Sequence, residues 1–186
     1  MLEAFFVSTA IVTLAEMGDK TQLLAFILAA RFKNPVWIII GILIATLVNH
    51  GLAAALGSWL VTAFNPQTLR WLLALSFIAM AGWTLIPDKL QEDTNVKNRW
   101  GVLGTTLIAF FLAEMGDKTQ IATIALSAHY AQPLLVTMAT TLGMLIANIP
   151  AVLIGHKLAD RIPMKLVRVI AALSFVVIGG ITLFKF

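Results

Sequence analysis

The side chains best suited to chemistry lie in one heptapeptide, Glu-Met-Gly-Asp-Lys-Thr-Gln, which occurs twice, at Glu16–Gln22 and Glu114–Gln120. Each copy places two carboxylates, a lysine, a hydroxyl and an amide within apolar sequence. Oxygen atoms are the ligands that hard divalent cations prefer, and the motif lacks the histidine or cysteine that zinc and copper favour. The motif therefore predicts a site for a hard divalent cation. Manganese and calcium are favoured over magnesium, which holds its water more tightly.

The primary candidate ligands are the four motif acids: Glu16, Asp19, Glu114 and Asp117. On a continuous helix, the two acids of one copy are three residues apart and share a face. If the two copies meet near the middle of a membrane, the four carboxylates would surround one cation. Other motif side chains that could complete the ligand shell are Thr21, Gln22, Thr119 and Gln120.

The two motif lysines, Lys20 and Lys118, are predicted to compensate charge. Four carboxylates repel each other strongly where the dielectric constant is low, and two lysines reduce their formal charge from −4 to −2. One divalent cation neutralises the remaining negative charge. When the cation leaves, the same repulsion favours proton uptake, which predicts cation/proton exchange. The alternative is a structural Glu–Lys pair in each half, which the duplication of so unfavourable an arrangement disfavours.

Three polar residues in neighbouring apolar sequence are weaker candidates, namely Asn49, His50 and Asn148. An amide or imidazole near the site could support its ligands or relay a proton. The alternative is an interhelical hydrogen bond, worth about 1 kcal/mol in a membrane, and this is the interpretation favoured for His50.

Six apolar segments must position these residues. Of 186 residues, 60% are apolar and 12% are charged, whereas a soluble domain has about 25% charged residues. The segments are long enough to cross a hydrocarbon core, which takes about 20 helical residues. Backbone in a bilayer must satisfy its hydrogen bonds within the segment, so an all-α integral membrane protein with six transmembrane helices is predicted. The segments cover residues 2–30, 35–63, 69–86, 100–128, 133–159 and 164–184.

The six segments form two repeats. The spacing of 98 residues that relates the motifs also relates Pro35 to Pro133. Residues 1–87 and 100–186 are the predicted three-helix repeats, and the polar stretch 88–99 is the linker between them. Because three spans is an odd number, the second repeat must enter the membrane in the opposite direction. Inverted repeats of this kind are typical of secondary transporters.

The basic residues orient the chain in the membrane. Apart from the motif lysines, two of them, Arg70 and Lys185, fall on one side. The other nine fall on the linker side, which predicts a cytoplasmic linker and both termini outside a bacterial inner membrane. These nine are Arg31, Lys33, Lys89, Lys97, Arg99, Lys157, Arg161, Lys165 and Arg168. Topology thus explains the net charge of +4, and no nucleic-acid partner is predicted.

The motif segments are longer than a membrane requires. Residues 2–30 would form a helix of about 43 Å, against a hydrocarbon core of about 30 Å. Such a segment must tilt, kink or break, and Gly18 and Gly116 suit either close helix contact or a local break. Pro150, inside the fifth segment, is predicted to kink it.

The pattern Glu-x-Gly-Asp-(Lys/Arg)-(Ser/Thr), found twice in a small six-span protein, resembles the signature of a family of bacterial and Golgi manganese and calcium transporters. That family belongs to the calcium/cation antiporter superfamily. The resemblance covers nearly the whole chain, including the placement of both motifs. It implies manganese export by bacterial members and exchange of calcium or manganese for protons by eukaryotic ones. By this resemblance, the acids of the family's site correspond to Glu16, Asp19, Glu114 and Asp117.

The predicted function is secondary transport of a hard divalent cation, with manganese export in exchange for protons favoured. A Ca²⁺/H⁺ antiporter and a passive cation channel stay open as alternatives. An intramembrane aspartyl protease is disfavoured because a proton-sharing aspartate pair does not require an adjacent glutamate and lysine. No enzymatic activity and no prosthetic group are therefore expected, and Mn²⁺ or Ca²⁺ is the transported substrate. The oligomeric state stays open, a homodimer included.

Overall fold

The computed structural model of this protein describes residues 1–86, 100–154 and 164–185. These residues form helices and no strands, which confirms the all-helical prediction. The predicted linker, 88–99, and five of the basic residues used to orient the chain lie outside the described residues. The eight described helices are α1 (Leu2–Glu16), α2 (Lys20–Phe32), α3 (Pro35–Ala63), α4 (Pro66–Thr84), α5 (Gly101–Glu114), α6 (Lys118–Tyr130), α7 (Pro133–Ile154) and α8 (Met164–Lys185).

Two of these helices are long and apolar enough to cross a bilayer. They are α3 and the stretch Pro133–Leu153 of α7. The stretches Gly101–Glu114 and Val169–Phe184 are also apolar but shorter. Helix α7 continues through Pro150, whose missing N–H leaves the carbonyl four residues earlier without its helical partner.

Two segments expected from the sequence are interrupted at the motifs. The first divides into α1 and α2, and the fourth divides into α5 and α6. Of the tilt, kink or break expected for these long segments, the structure therefore shows a break. The expectation that Glu16 and Asp19 share one helix face is wrong, because the helix stops between them. The same holds for the second motif.

The described part of the chain has polar groups inside and large apolar groups outside. On α3, the side chains of Thr46, Asn49 and His50 are fully or almost fully buried, whereas Leu52 is 61% exposed and Trp59 59% exposed. A soluble protein would not cover its surface with such residues, and an apolar exterior of this extent is suited to contact with lipid. Buried polar residues in such an interior are functional candidates.

Each long helix packs against the broken helix of the other half. Helix α7 packs against α1 and α2, while α3 packs against α5 and α6. Glycines permit the close crossings. A Cβ on Gly143 would lie 2.7 Å from the Thr9 carbonyl oxygen, and a Cβ on Gly41 would lie 2.8 Å from the Thr106 Cβ. This arrangement brings the two interruptions towards each other.

Candidate metal centre

The helix break in the first motif has a defined backbone. Helix α1 ends at Glu16, and Met17 is extended (φ −63°, ψ 121°). Gly18 has φ 79°, a left-handed conformation that a glycine adopts without steric penalty. Asp19, again extended, precedes α2, and its Oδ1 accepts a 2.7 Å hydrogen bond from the Lys20 N–H. The break in residues 115–117 follows the same course.

Replacing Gly116 by alanine is expected to lower the free energy of unfolding by about 1–2 kcal/mol, the penalty of a left-handed conformation for a residue with a Cβ. Gly116 has φ 75°, and a Cβ there would meet no atom within 4 Å, so steric contact adds nothing. Gly82→Ala is the matched control, because Gly82 has equally open surroundings but lies within α4. The control is expected to be neutral or stabilising. Thermal unfolding in one detergent measures the stability of both variants. Equal destabilisation by Gly116→Ala and Gly82→Ala would contradict the left-handed conformation assigned to Gly116.

Three of the four predicted acids converge at the breaks. Glu16, Asp19 and Asp117 are almost completely buried, and one carboxylate oxygen from each lies within 4.8 Å of the others. Ligands on opposite sides of a cation with bonds of 2.3–2.6 Å would be about 5 Å apart. These three oxygens are therefore spaced to surround a single ion of the size of manganese or calcium.

The motif lysines cross between the halves. The Lys20 Nζ lies 3.0 Å from the Asp117 Oδ1, and the Lys118 Nζ lies 3.0 Å from the Asp19 Oδ2. Each ammonium thus pairs with the aspartate of the other motif. Glu16 and Glu114 make no ion pair of this kind within the described residues. Two carboxylates are left uncompensated, which is the charge that one divalent cation neutralises.

The two glutamates have different partners. Neither oxygen of Glu16 accepts a hydrogen bond from the part of the chain that the structure describes. Glu114 lies outside the three-acid group, and its Oε2 accepts a 2.9 Å hydrogen bond from the Thr119 hydroxyl. Thr119, predicted as an additional ligand, therefore supports Glu114. Its counterpart Thr21 is buried, and its hydroxyl has no hydrogen-bond partner among the described residues.

The motif glutamines hold the breaks. The Gln22 Oε1 accepts from the Gly18 N–H at 3.0 Å, and the Gln120 Oε1 accepts from the Gly116 N–H at 2.7 Å. The carbonyl oxygens predicted as possible ligands are thus engaged with backbone. Gln22 also donates through Nε2 to the carbonyl of Ala147 on α7 at 2.9 Å. This backbone acceptor was not foreseen from the sequence, because a carbonyl carries no residue-type signal.

The weaker candidates, Asn49, His50 and Asn148, are also buried. The Asn49 Nδ2 donates to the Phe111 carbonyl on α5 at 3.1 Å, and the Asn148 Nδ2 donates to the Met144 carbonyl at 3.0 Å. Both asparagines leave Oδ1 buried without a hydrogen bond from the described residues. The hydrogen bond favoured for His50 is not found there either, since both ring nitrogens of this buried side chain lack a partner.

The helix ends add to the electrostatics of the centre. The carboxyl ends of α1 and α5 and the amino ends of α2 and α6 meet at the acids. Unsatisfied carbonyls at a helix end attract cations, and free N–H groups attract carboxylates. Broken helices that present their ends to an ion are a recurring arrangement in secondary transporters.

Comparison with known proteins agrees with this chemistry. The family described as "Divalent cation/proton antiporter GDT1" matches residues 4–92 and 102–186, and each range holds one motif. A protein of Vibrio cholerae serotype O1 named "Putative manganese exporter" is 48% identical over 99% of this chain and 92% of its own. GDT1-like protein sll0615 of Synechocystis is 28% identical, with 94% of each chain covered.

More distant relatives include GDT1-like protein 5 of Arabidopsis thaliana, 28% identical over 96% of this chain and 94% of its own. No solved structure matches the chain at a comparable level of significance. The family match covers nearly all residues and both motifs. The chain is therefore a membrane protein of the divalent cation/proton antiporter GDT1 family.

Proposed function

We propose that this protein exports manganese from the bacterial cytoplasm in exchange for protons. The observation that carries the proposal is the buried group of Glu16, Asp19 and Asp117, in which each aspartate pairs with a lysine and Glu16 makes no ion pair within the described residues. Such a group is unfavourable in an apolar interior unless a cation or protons neutralise it. Its oxygen atoms fit a hard divalent ion.

Manganese is the substrate favoured over calcium. The 48% identical relative is named as a manganese exporter, and the oxygen donors present accept either ion. Three further oxygens without hydrogen bonds from the described residues could complete its coordination as the helices adjust: Thr21 Oγ1, Asn49 Oδ1 and Asn148 Oδ1. Mn²⁺ is thus substrate rather than a resident cofactor.

Protons exchange with the cation at the glutamates. Without a cation, Glu16 and Glu114 are two buried carboxylates without a lysine partner among the described residues. Protonation of both removes the same formal charge that one divalent cation neutralises. Cation and protons therefore compete for the same groups, and binding of either releases the other. This competition couples manganese export to proton entry.

The proposed architecture has six spans in two inverted repeats, 1–87 and 100–186, joined by the cytoplasmic linker 88–99. Three features support it. Both halves have the same order of a broken helix, a long helix and a final helix. The breaks recur at the sequence spacing of 98 residues with the same backbone conformation. The packing is also reciprocal, because α7 holds the first broken helix and α3 holds the second.

A proton-sharing aspartate pair, as an aspartyl protease requires, is disfavoured by the ion pairs. Asp19 and Asp117 each lie 3.0 Å from a lysine ammonium, which stabilises the charged form of both. A shared proton requires one of the two acids to be neutral. The site is therefore better suited to binding cations than to general acid–base catalysis.

Purified protein in liposomes tests the proposed function. With a manganese-sensitive dye and a pH dye inside, manganese entry is expected to drive protons outward, and calcium is expected to compete weakly. Asp19→Asn and Asp117→Asn are each expected to lower the rate by about tenfold or more, since even outer partners of a metal contribute 10–100-fold. Manganese flux without proton movement would indicate a uniporter or channel. No flux from folded protein would contradict transport itself.

A further inference from the structure

Gln22 and Gln120 occupy equivalent positions in the two motifs, but their amides make different contacts. Gln22 accepts from the Gly18 N–H and donates to the Ala147 carbonyl, so it ties the first break to α7. The orientation of this amide is dictated, because an N–H can only donate and a carbonyl can only accept. Gln120 accepts from the Gly116 N–H, and its amide nitrogen meets no acceptor in the described part of the chain.

The two breaks also differ in exposure. At the second break Met115 is 60% exposed, whereas Met17 at the first break is half-buried. The side chain of Lys20, which reaches into the second break, is 27% exposed, and that of Lys118, which reaches into the first, is 5% exposed. A charged group midway along an apolar segment is exposed only where water reaches it. The second break is therefore the more exposed of the two in this structure.

The repeat identifies the acceptor that Gln120 lacks in this state. At the spacing of 98 residues, Ala147 corresponds to Asn49, which lies on α3. Helix α3 packs along α5 and α6 as α7 packs along α1 and α2. The Asn49 side chain already contacts the Phe111 carbonyl at 3.1 Å, one turn before the second break. The backbone carbonyl of Asn49 thus lies at the level that Gln120 would reach if this break closed.

We propose that Gln22 and Gln120 are positioning residues that close the two sides of the cation site in turn. In the state described here, Gln22 holds the first break against α7. When the site opens on that side, Gln22 releases the Ala147 carbonyl and Gln120 donates to the Asn49 carbonyl. Each break carries an acid of the site, so exchange of these two hydrogen bonds moves the ligands as one side closes. The inference rests on the transport cycle of the proposed function.

This role differs from that of a cation ligand in a measurable way. Removing one positioning amide shifts the balance between two states, and removing both restores it, because the losses act in opposite directions. Removing two ligands instead weakens cation binding additively. The single and double variants of Gln22 and Gln120 therefore separate the two roles.

Cysteine labelling provides the test, since the chain contains no cysteine. Met17→Cys and Met115→Cys are reporters related by the repeat, and a charged, membrane-impermeant maleimide is applied to opened vesicles. The cysteine at position 115 is expected to react faster in the parent. Gln22→Met is expected to speed labelling at position 17 and slow it at position 115, changing their ratio about three- to fivefold for one interhelical hydrogen bond. Gln120→Met is expected to move the ratio the other way, and the double variant is expected to restore it.

Three results would overturn the proposal: a shift in the same direction for both variants, additive loss of manganese affinity in the double variant, or no labelling at position 115 in the parent. Gln22→Asn keeps an amide on a shorter side chain. It replaces Gln22→Met in the labelling test if Gln22→Met does not fold. Manganese flux in the parent distinguishes failure of the proposed function from failure of the positioning role. If the parent carries no manganese, the proposed function fails; if it transports and the labelling ratio does not move, only the positioning role fails.

Discussion

Replacing Glu16 by glutamine is expected to lower manganese transport by about a hundredfold or more, beyond the 10–100-fold effect of removing an outer partner of a metal. Glu16 is fully buried, belongs to the three-acid group and accepts no hydrogen bond from the described residues. Glutamine preserves the shape of the side chain but removes one of the two uncompensated negative charges. A divalent cation in the site would then retain excess positive charge, which is strongly unfavourable at low dielectric. Initial rates in liposomes and calorimetric titration with manganese chloride measure the loss.

The control for this variant is Glu3→Gln. Glu3 lies in the first turn of the same helix and is exposed, so its replacement is expected to leave the rate nearly unchanged. The two variants make the same chemical change at opposite ends of α1. If Glu16→Gln retained most of the parent rate, the uncompensated glutamate would not be the group that binds the cation. Manganese and protons would then not exchange at Glu16.

Replacing Lys118 by methionine is expected to destabilise the protein by about 3–5 kcal/mol, the usual effect of removing one partner from a buried ion pair. The Lys118 ammonium lies 3.0 Å from the Asp19 carboxylate, and the exposed fractions of the two side chains are 5% and 0%. Methionine has a similar length and no charge, so the carboxylate loses the cation beside it. Thermal and denaturant unfolding in the same detergent measure the change.

The equivalent lysine is the matched control. Lys20 makes the same 3.0 Å pair with Asp117, but its side chain is 27% exposed. Lys20→Met leaves the carboxylate of Asp117, which is 2% exposed, without its lysine, so stability is expected to fall. The loss is expected to be smaller than for Lys118→Met, because solvent screens the pair made by the more exposed lysine. The double variant Asp19→Asn/Lys118→Met is expected to recover part of the loss, because it also removes the carboxylate charge that Lys118→Met leaves without its lysine. Equal destabilisation by the two single lysine variants would mean that burial does not distinguish the pairs.

Together these predictions separate two properties of the site. The glutamates determine how much charge is left for the cation, whereas the crossed lysine–aspartate pairs determine how firmly the two breaks are held together. Glu16→Gln is accordingly expected to affect binding and transport with little change in stability. Lys118→Met is expected to lower stability, and to lower transport as a consequence of that loss.

The helical class of the fold and the presence of the motif follow from sequence alone. Apolar segments of this length favour helices because no other spanning structure satisfies its own backbone hydrogen bonds, as the described α3 illustrates. The seven-residue identity at a spacing of 98 residues identified the motif acids and lysines without any structure. The excess length of residues 2–30 predicted a tilt, kink or break. It could not distinguish them, because Gly18 is compatible with all three until its surroundings select a left-handed conformation.

Which side chains meet at the site depends on how the helices pack. Sequence proximity would pair Lys20 with an acid of its own motif, but the structure pairs it with Asp117 because the two breaks face each other. The motifs are identical in sequence, yet Glu16 and Glu114 have different partners, as do Gln22 and Gln120. Identical local sequences have identical local preferences, so these differences arise from the helices packed around them. The sequence specifies a pair of equivalent motifs, and the packing of the other helices leaves the second break more exposed than the first.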